Sequence, residues 1–177
     1  RLSPGSCWQA RLKGPELLTA CVSEFAKLLD LDPQEQNLDL YSGAGLFSAT
    51  LSAQFDGAKF LAIESSKQAI ADGERSSHDL DNLRFHQADV LKFLRSQTAG
   101  TFDTIILDPP RSGAANKVVE QLIRLSPRNM IYVACDPVAL ARDLKTLGDA
   151  GYNVKAMRAF DIFPHTHHFE TVVALAR

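Results

Sequence analysis

Cys135 closes an apolar run, IYVAC (131–135), and is followed at once by Asp136 and Pro137. A thiol at the end of a β-prone segment is either a small buried filler or a nucleophile. An acid followed by proline reads as a helix N-cap and first helical position. A helix N-terminus favours negative charge, so the Cys135 thiol is expected to have a lowered pKa and to act as a nucleophile. A second group of residues, DPPRSG (108–113), puts Asp108 ahead of two prolines and Arg111. Proline fixes φ and removes a donor, so Pro109 and Pro110 can form a rigid wall against a flat ring. Arg111 reads equally as a phosphate contact or an ion-pair partner. A third stretch, FPHTHHFE (163–170), holds His165, His167, His168 and Glu170. Three histidines invite a zinc reading, with Cys135 or Glu170 as a further ligand. No clear fourth pairing exists, so a structural or substrate-positioning role, with His167 at the substrate, is preferred and no metal is expected. Glu170 opens the last strand and should return to the neighbourhood of Cys135.

These residues need a scaffold that brings them together. A 3.6-period apolar stripe over 14–30 predicts a helix. Strands are predicted over 37–41, 59–64, 83–87, 102–108 and 129–135, and helices over 45–54, 66–78, 90–97 and 116–125, with a further helix opening at Pro137. Gly73 weakens the helix it sits in. Two last strands, 152–161 and 170–176, have no helix between them and should form a hairpin. Alternating strands and helices with short apolar strands mean a parallel sheet covered on both faces. The expected class is α/β, a Rossmann-like fold with a seven-stranded, mostly parallel sheet and an antiparallel closing hairpin at one edge. Such sheets bind ligands beyond the carboxyl ends of their strands.

The strand ends carry a consistent set of groups. DLYSGAGLFS (39–48) makes a glycine turn at Gly43 and Gly45 into a helix N-terminus. Glu64 ends the second strand, where an acid holds ribose hydroxyls; a solvated loop acid is the plainer alternative. Asp89 follows the third strand and either accepts from an adenine amino group or caps the next helix. The turn lacks the third glycine of the dinucleotide fingerprint. Together these describe a nucleoside-plus-amino-acid site, and S-adenosylmethionine rather than NAD.

The bulk properties set limits. The 177 residues suit one domain. With 45% hydrophobic and 23% charged residues the chain can bury a full core. No apolar run approaches the ~20 residues of a membrane span. Cys7, Cys21 and Cys135 form no CxxC pair, which argues against a disulfide framework, zinc knuckle or iron–sulfur cluster and for a reducing, cytoplasmic compartment. The formal net charge of -2 shows none of the basic excess usual in a nucleic-acid binder, so RNA contact must rest on a local patch or another domain.

The motifs resemble the RNA uracil-C5 methyltransferases, which make 5-methyluridine in tRNA or rRNA. The matching stretches are WQ (8–9), DLYSGAGLFS, Glu64, FDTIILDPPRSG (102–113), IYVACDPVALARD (131–143) and DIFPHTHHFETV (161–172), in the right order over nearly the whole chain. The resemblance implies that Cys135 adds to C6 of the uracil, that C5 takes the methyl group of S-adenosylmethionine, and that Glu170 removes the C5 proton. It places cofactor contacts on Gln9, Tyr41, Glu64 and Asp108, beside Gly43 and Asp89 from the turn reading. One departure is Leu46, where members often carry Asn or another polar residue. Members also commonly carry an N-terminal OB-like RNA-binding domain, so residues 1–177 read as the catalytic domain of a longer protein, with RNA as partner. Four rivals remain, the most distant a zinc-dependent hydrolase built on the histidine loop, which a metal analysis would settle. An amino-group methyltransferase would place an aromatic where Arg111 stands. A cytosine-C5 enzyme would carry a second cysteine in the proline loop. A non-catalytic remnant of the fold would not need both Cys135 and Glu170.

Overall fold

The computed structural model describes residues 14–161 and 169–177. The elements run α1 (Gly14–Leu28), β1 (Gln36–Leu40), α2 (Leu46–Gln54), β2 (Lys59–Glu64), α3 (Lys67–Ser76), β3 (Leu83–Gln87), α4 (Val90–Ser96), β4 (Thr104–Leu107), α5 (Asn116–Leu125), β5 (Asn129–Ala134), α6 (Pro137–Asp149), β6 (Asn153–Phe160) and β7 (Glu170–Ala176). The seven strands form one sheet in the order β3-β2-β1-β4-β5-β7-β6. Strands β1 to β5 are parallel, and β7 runs antiparallel to both β5 and β6.

The closing hairpin lies at one edge of the sheet, as expected, and its outer strand is β6 rather than β7. The hairpin forms, but β7 inserts between β5 and β6. Burial explains the choice. Six consecutive residues of β7, Glu170 to Leu175, are buried, whereas β6 has an exposed pattern with Lys155 and Arg158 on it. A strand apolar on both faces must lie inside a covered sheet, and charged residues belong on an edge.

Helices cover both faces. On one face Leu38, Leu40, Ile105, Leu107, Met130 and Tyr132 meet α4, α5 and α6. On the other, Phe60, Ala62, Ile106, Ile131, Val133, Val172 and Ala174 meet α1 and α2. Each fully buried large side chain here contributes about 1.5–3 kcal/mol. Gly45 and Gly73 both lie against the Phe85 ring; an added Cβ would come within 2.6 Å and 2.5 Å of it. Gly73 therefore weakens its helix locally but lets α3 close on β3.

Two strands are shorter than their apolar runs suggest. β4 stops at Leu107 and β5 at Ala134, so Asp108 and Cys135 stand one residue past the sheet. Period-2 alternation carried that one step puts Asp108 and Cys135 on the α1–α2 face, with Asp39 and Glu170.

Candidate active site

The glycine turn is held by carboxylates. Gly43 N donates to Glu64 Oε2 at 3.1 Å, and Glu64 Oε1 accepts from Ser66 N at 2.8 Å and Ser65 Oγ at 3.1 Å. Glu64 thus ties the turn after β1 to the end of β2. Gly45, the N-cap of α2, offers no side chain, and the buried Asp39 takes that role by accepting from Ser48 N at 3.1 Å. Burial raises the Asp39 pKa to about 6 against the hydrogen bond to Ser48. Asp39 Oδ1 and the nearby Ser42 Oγ are buried without a hydrogen-bond partner among the described residues. Sequence reasoning used Asp39 only to mark the start of the turn. An acid inside an otherwise apolar strand was the available signal.

Tyr41 leaves β1 in the left-handed region, φ 59°, half-buried, with its pKa pushed up to about 12 by burial and by Asp89 and Asp143. Asp89 caps α4, accepting from Lys92 N at 2.9 Å. Of the two readings of Asp89, the capping bond is the one the structure shows, on an exposed carboxylate that still acts on Tyr41.

The loop after β4 is a tight turn, with Gly113 N donating to Pro110 O at 2.8 Å. Pro109 is buried, and Pro110 and Arg111 are exposed. Asp108 is pushed up to about 8 by burial, then by Glu170 and Asp39. Pro109, Pro110, Arg111, Tyr132 and Cys135 border one narrow crevice.

Cys135 and Glu170 face each other by register. Strands β5 and β7 pair from Asn129↔Ala176 to Ala134↔Thr171. The next rung of that ladder sets Cys135 opposite Glu170, and directly opposite residues share a face. Glu170 is 4% exposed, its Oε2 has no partner among the described residues, and burial raises its pKa. Asp136 caps α6 by accepting from Ala139 N at 2.7 Å, and Pro137 is in the first helical turn.

The expected lowering of the Cys135 pKa does not occur. Burial raises it first, then Glu170 and Asp108; Arg111 works in the opposite direction. The helix N-terminus is present, but two neighbouring acids and the loss of water outweigh it.

A further network went unnoticed in the sequence. Asp143 Oδ2 accepts from Tyr132 OH at 2.7 Å and Ala114 N at 2.8 Å, and Ala114 N also donates to Tyr132 OH at 3.1 Å. Arg142 holds Asp143 Oδ1 through Nε at 2.9 Å and Nη2 at 2.8 Å, and Nη2 donates to Ser112 O at 2.9 Å. All five residues lie inside or beside quoted motifs, yet only tertiary contact shows what they do.

A family described as tRNA (Uracil-5-)-methyltransferase matches residues 22–177. The chain belongs to the tRNA (uracil-5-)-methyltransferase family. The motif resemblance pointed to the same group, and the family's cofactor is S-adenosylmethionine. An RNA methyltransferase of Streptomyces avermitilis, named as uncharacterized, is 41% identical over 178 residues, 99% of this chain and 40% of that protein. A similarly named Thermotoga maritima protein is 43% identical over 149 residues, 83% of this chain and 33% of its own length. The chain thus spans well under half of these relatives. The Pyrococcus abyssi tRNA (uracil-54, C5)-methyltransferase, solved with S-adenosyl-L-homocysteine, superposes with a TM-score of 0.81 at 33% identity, over 98% of this chain and 41% of that one. A putative RNA methyltransferase from Pyrococcus horikoshii shares the fold, with a TM-score of 0.77 at 14% identity, over 99% of this chain and 92% of that one.

The residues of this family member fit the cofactor on charge. Asp39 Oδ1 and Ser42 Oγ are buried without a hydrogen-bond partner among the described residues, and burial and neighbouring acids raise the pKa of Asp39 and of Asp108. S-adenosylmethionine bears a sulfonium and an ammonium. Gln9 and His167, like His165 and His168, lie outside the described residues. Among the described residues no three His, Cys, Asp or Glu side chains are placed to hold a metal, and no helix is long and apolar enough to cross a membrane.

Proposed function

We propose that this chain methylates C5 of a uridine in tRNA or rRNA, with Cys135 as nucleophile and Glu170 as base. The observation that supports the reading is that the β5–β7 register, continued one rung past Ala134↔Thr171, brings Cys135 opposite the buried Glu170, which acts on the thiol and whose Oε2 has no partner among the described residues. Bound S-adenosylmethionine supplies an electrophilic methyl group. Tyr41, Gly43, Glu64, Asp89 and Asp108, with Gln9, would hold it, Glu64 at the ribose and the buried acids at the cationic end.

C5 of uracil is a weak nucleophile until C6 carries a donor. Cys135 Sγ forms a bond to C6 and the ring electrons move onto the C4 oxygen as an enolate. C5 would then take the methyl group, the cofactor leaving as S-adenosylhomocysteine, and keep its original proton. Glu170 removes that proton, the C5–C6 double bond reforms, and the C6–S bond breaks to return the thiolate. A base with a raised pKa is suited to the last step. The thiol must first lose its proton against Glu170 and Asp108; Arg111 and a cationic partner for Asp108 both favour that loss. Pro109 and Pro110 flank the ring, Arg111 meets a phosphate, and His167 helps seat the substrate.

The test is intact mass of the complete protein after incubation with S-adenosylmethionine and 5-fluorouridine-substituted RNA. Fluorine at C5 cannot be removed as a proton, so the reaction stops at a covalent adduct on Cys135. Cys135→Ala should give no adduct while binding S-adenosylhomocysteine normally. Cofactor binding without any adduct in the wild type would reject uracil-C5 chemistry, and loss of both would point to a non-catalytic member of the fold.

A further inference from the structure

The Tyr132–Asp143–Arg142 network joins the two halves of the crevice. Cys135 directly precedes Asp136, the N-cap of α6, and Asp143 lies within that helix, in its second turn. Asp143 and Tyr132 are both buried, 1% and 0% exposed, and their polar atoms satisfy each other and Ala114 N. Arg142 reaches past Asp143 to the carbonyl of Ser112. The segment they grip, Ser112 to Ala114, directly follows Pro109, Pro110 and Arg111. Gly113 sits at φ +80°, and a Cβ there would lie 2.6 Å from both Arg142 Nη2 and Asp143 Oδ2. The loop is thus seated on α6 with no room between.

We infer that Asp143 and Tyr132 are positioning residues that hold the Pro109–Pro110 wall in register with the Cys135 thiol. The inference rests on the uracil reading of that crevice. The prolines make the loop stiff, but stiffness alone does not aim it. Aim comes from the buried carboxylate, because the helix that sets the thiol also sets the loop. The S-adenosylmethionine region at β1 and β2 is built from other bonds, those of Glu64 and Asp39. Asp143 also acts electrostatically on Tyr41, so the variant that keeps its charge, Tyr132→Phe, is the one that should disturb ring addition and leave the cofactor site alone.

The experiment compares the complete wild-type protein with Asp143→Asn and Tyr132→Phe. The readouts are kcat, KM for S-adenosylmethionine, melting temperature, and the rate of covalent trapping on 5-fluorouridine-substituted tRNA. An ångström of misplacement costs about 100-fold in rate. Asp143→Asn should lower kcat and the trapping rate about 10- to 100-fold, and Tyr132→Phe, which keeps the packing and the Asp143 charge, about 3- to 10-fold with KM for S-adenosylmethionine unchanged. If wild type is trapped and Tyr132→Phe is trapped at the same rate, the positioning role is wrong, whatever Asp143→Asn does. If Tyr132→Phe loses cofactor affinity and trapping in equal proportion, the role is merely structural. If wild type itself is not trapped, the uracil reading has failed instead.

Discussion

Replacing Asp108 by Asn should stabilise the free protein while weakening its hold on the cofactor. Asp108 has its pKa raised from 3.8 to about 8 by burial and by the neighbouring Glu170 and Asp39. Below pH 3.8 the carboxyl is protonated in both folded and unfolded chains and folding costs nothing on its account. Between 3.8 and about 8 the folded state holds a proton that the unfolded state has lost, so stability falls as pH rises through this window. At about 1.4 kcal/mol per pH unit, the three units up to pH 7 set a ceiling near ~4 kcal/mol. Relaxation and sharing of the proton among the coupled acids bring the realistic figure to about 2 kcal/mol. Asn is nearly isosteric and neutral throughout. The variant should melt roughly 4–8 °C above wild type at pH 7–8, for a chain of this size. Near pH 4 the advantage should vanish. Circular dichroism melts without cofactor at pH 4.5, 6, 7 and 8 measure the difference directly. A difference that does not change with pH, or an Asn variant less stable at pH 8, would refute the reasoning about buried charge.

Two further outcomes follow from the same acids. Affinity for S-adenosylmethionine should rise about 10-fold or more between pH 6 and 8 as Asp39 and Asp108 ionise against its positive charges, and S-adenosylhomocysteine, which lacks the sulfonium, should show a smaller rise by calorimetry. Glu170→Gln should accumulate the covalent adduct on ordinary uridine-containing RNA, because only proton removal and elimination need the base; turnover at the wild-type rate would remove Glu170 from the mechanism.

Much of this was legible because it is local. An acid before proline announces a helix start, and Asp136 caps α6 as its sequence implies. Apolar runs bounded by glycine and proline located every strand of the sheet within two residues at either end. The placement of β7 was harder, since a hairpin says which strands pair but not which of the two lies inside. The contrast between ETVVALA and the charged NVKAMRAF held that answer, once read as burial on two faces rather than one.

The Cys135 thiol failed for a different reason. Its pKa is a sum over groups distant in sequence: Asp108 is 27 residues back and Glu170 35 ahead. The local rule, a thiol at a helix N-terminus, was correct about the helix and wrong about the total, because two acids and burial exceed one helix end. The same summation makes chemical sense of the site. Four carboxylates, of Asp39, Glu64, Asp108 and Glu170, crowd one rim of the sheet with Arg111 as the opposing charge on the thiol. Burial and two of these acids, Glu170 and Asp108, raise the thiol's pKa together, and Arg111 is too little to reverse them.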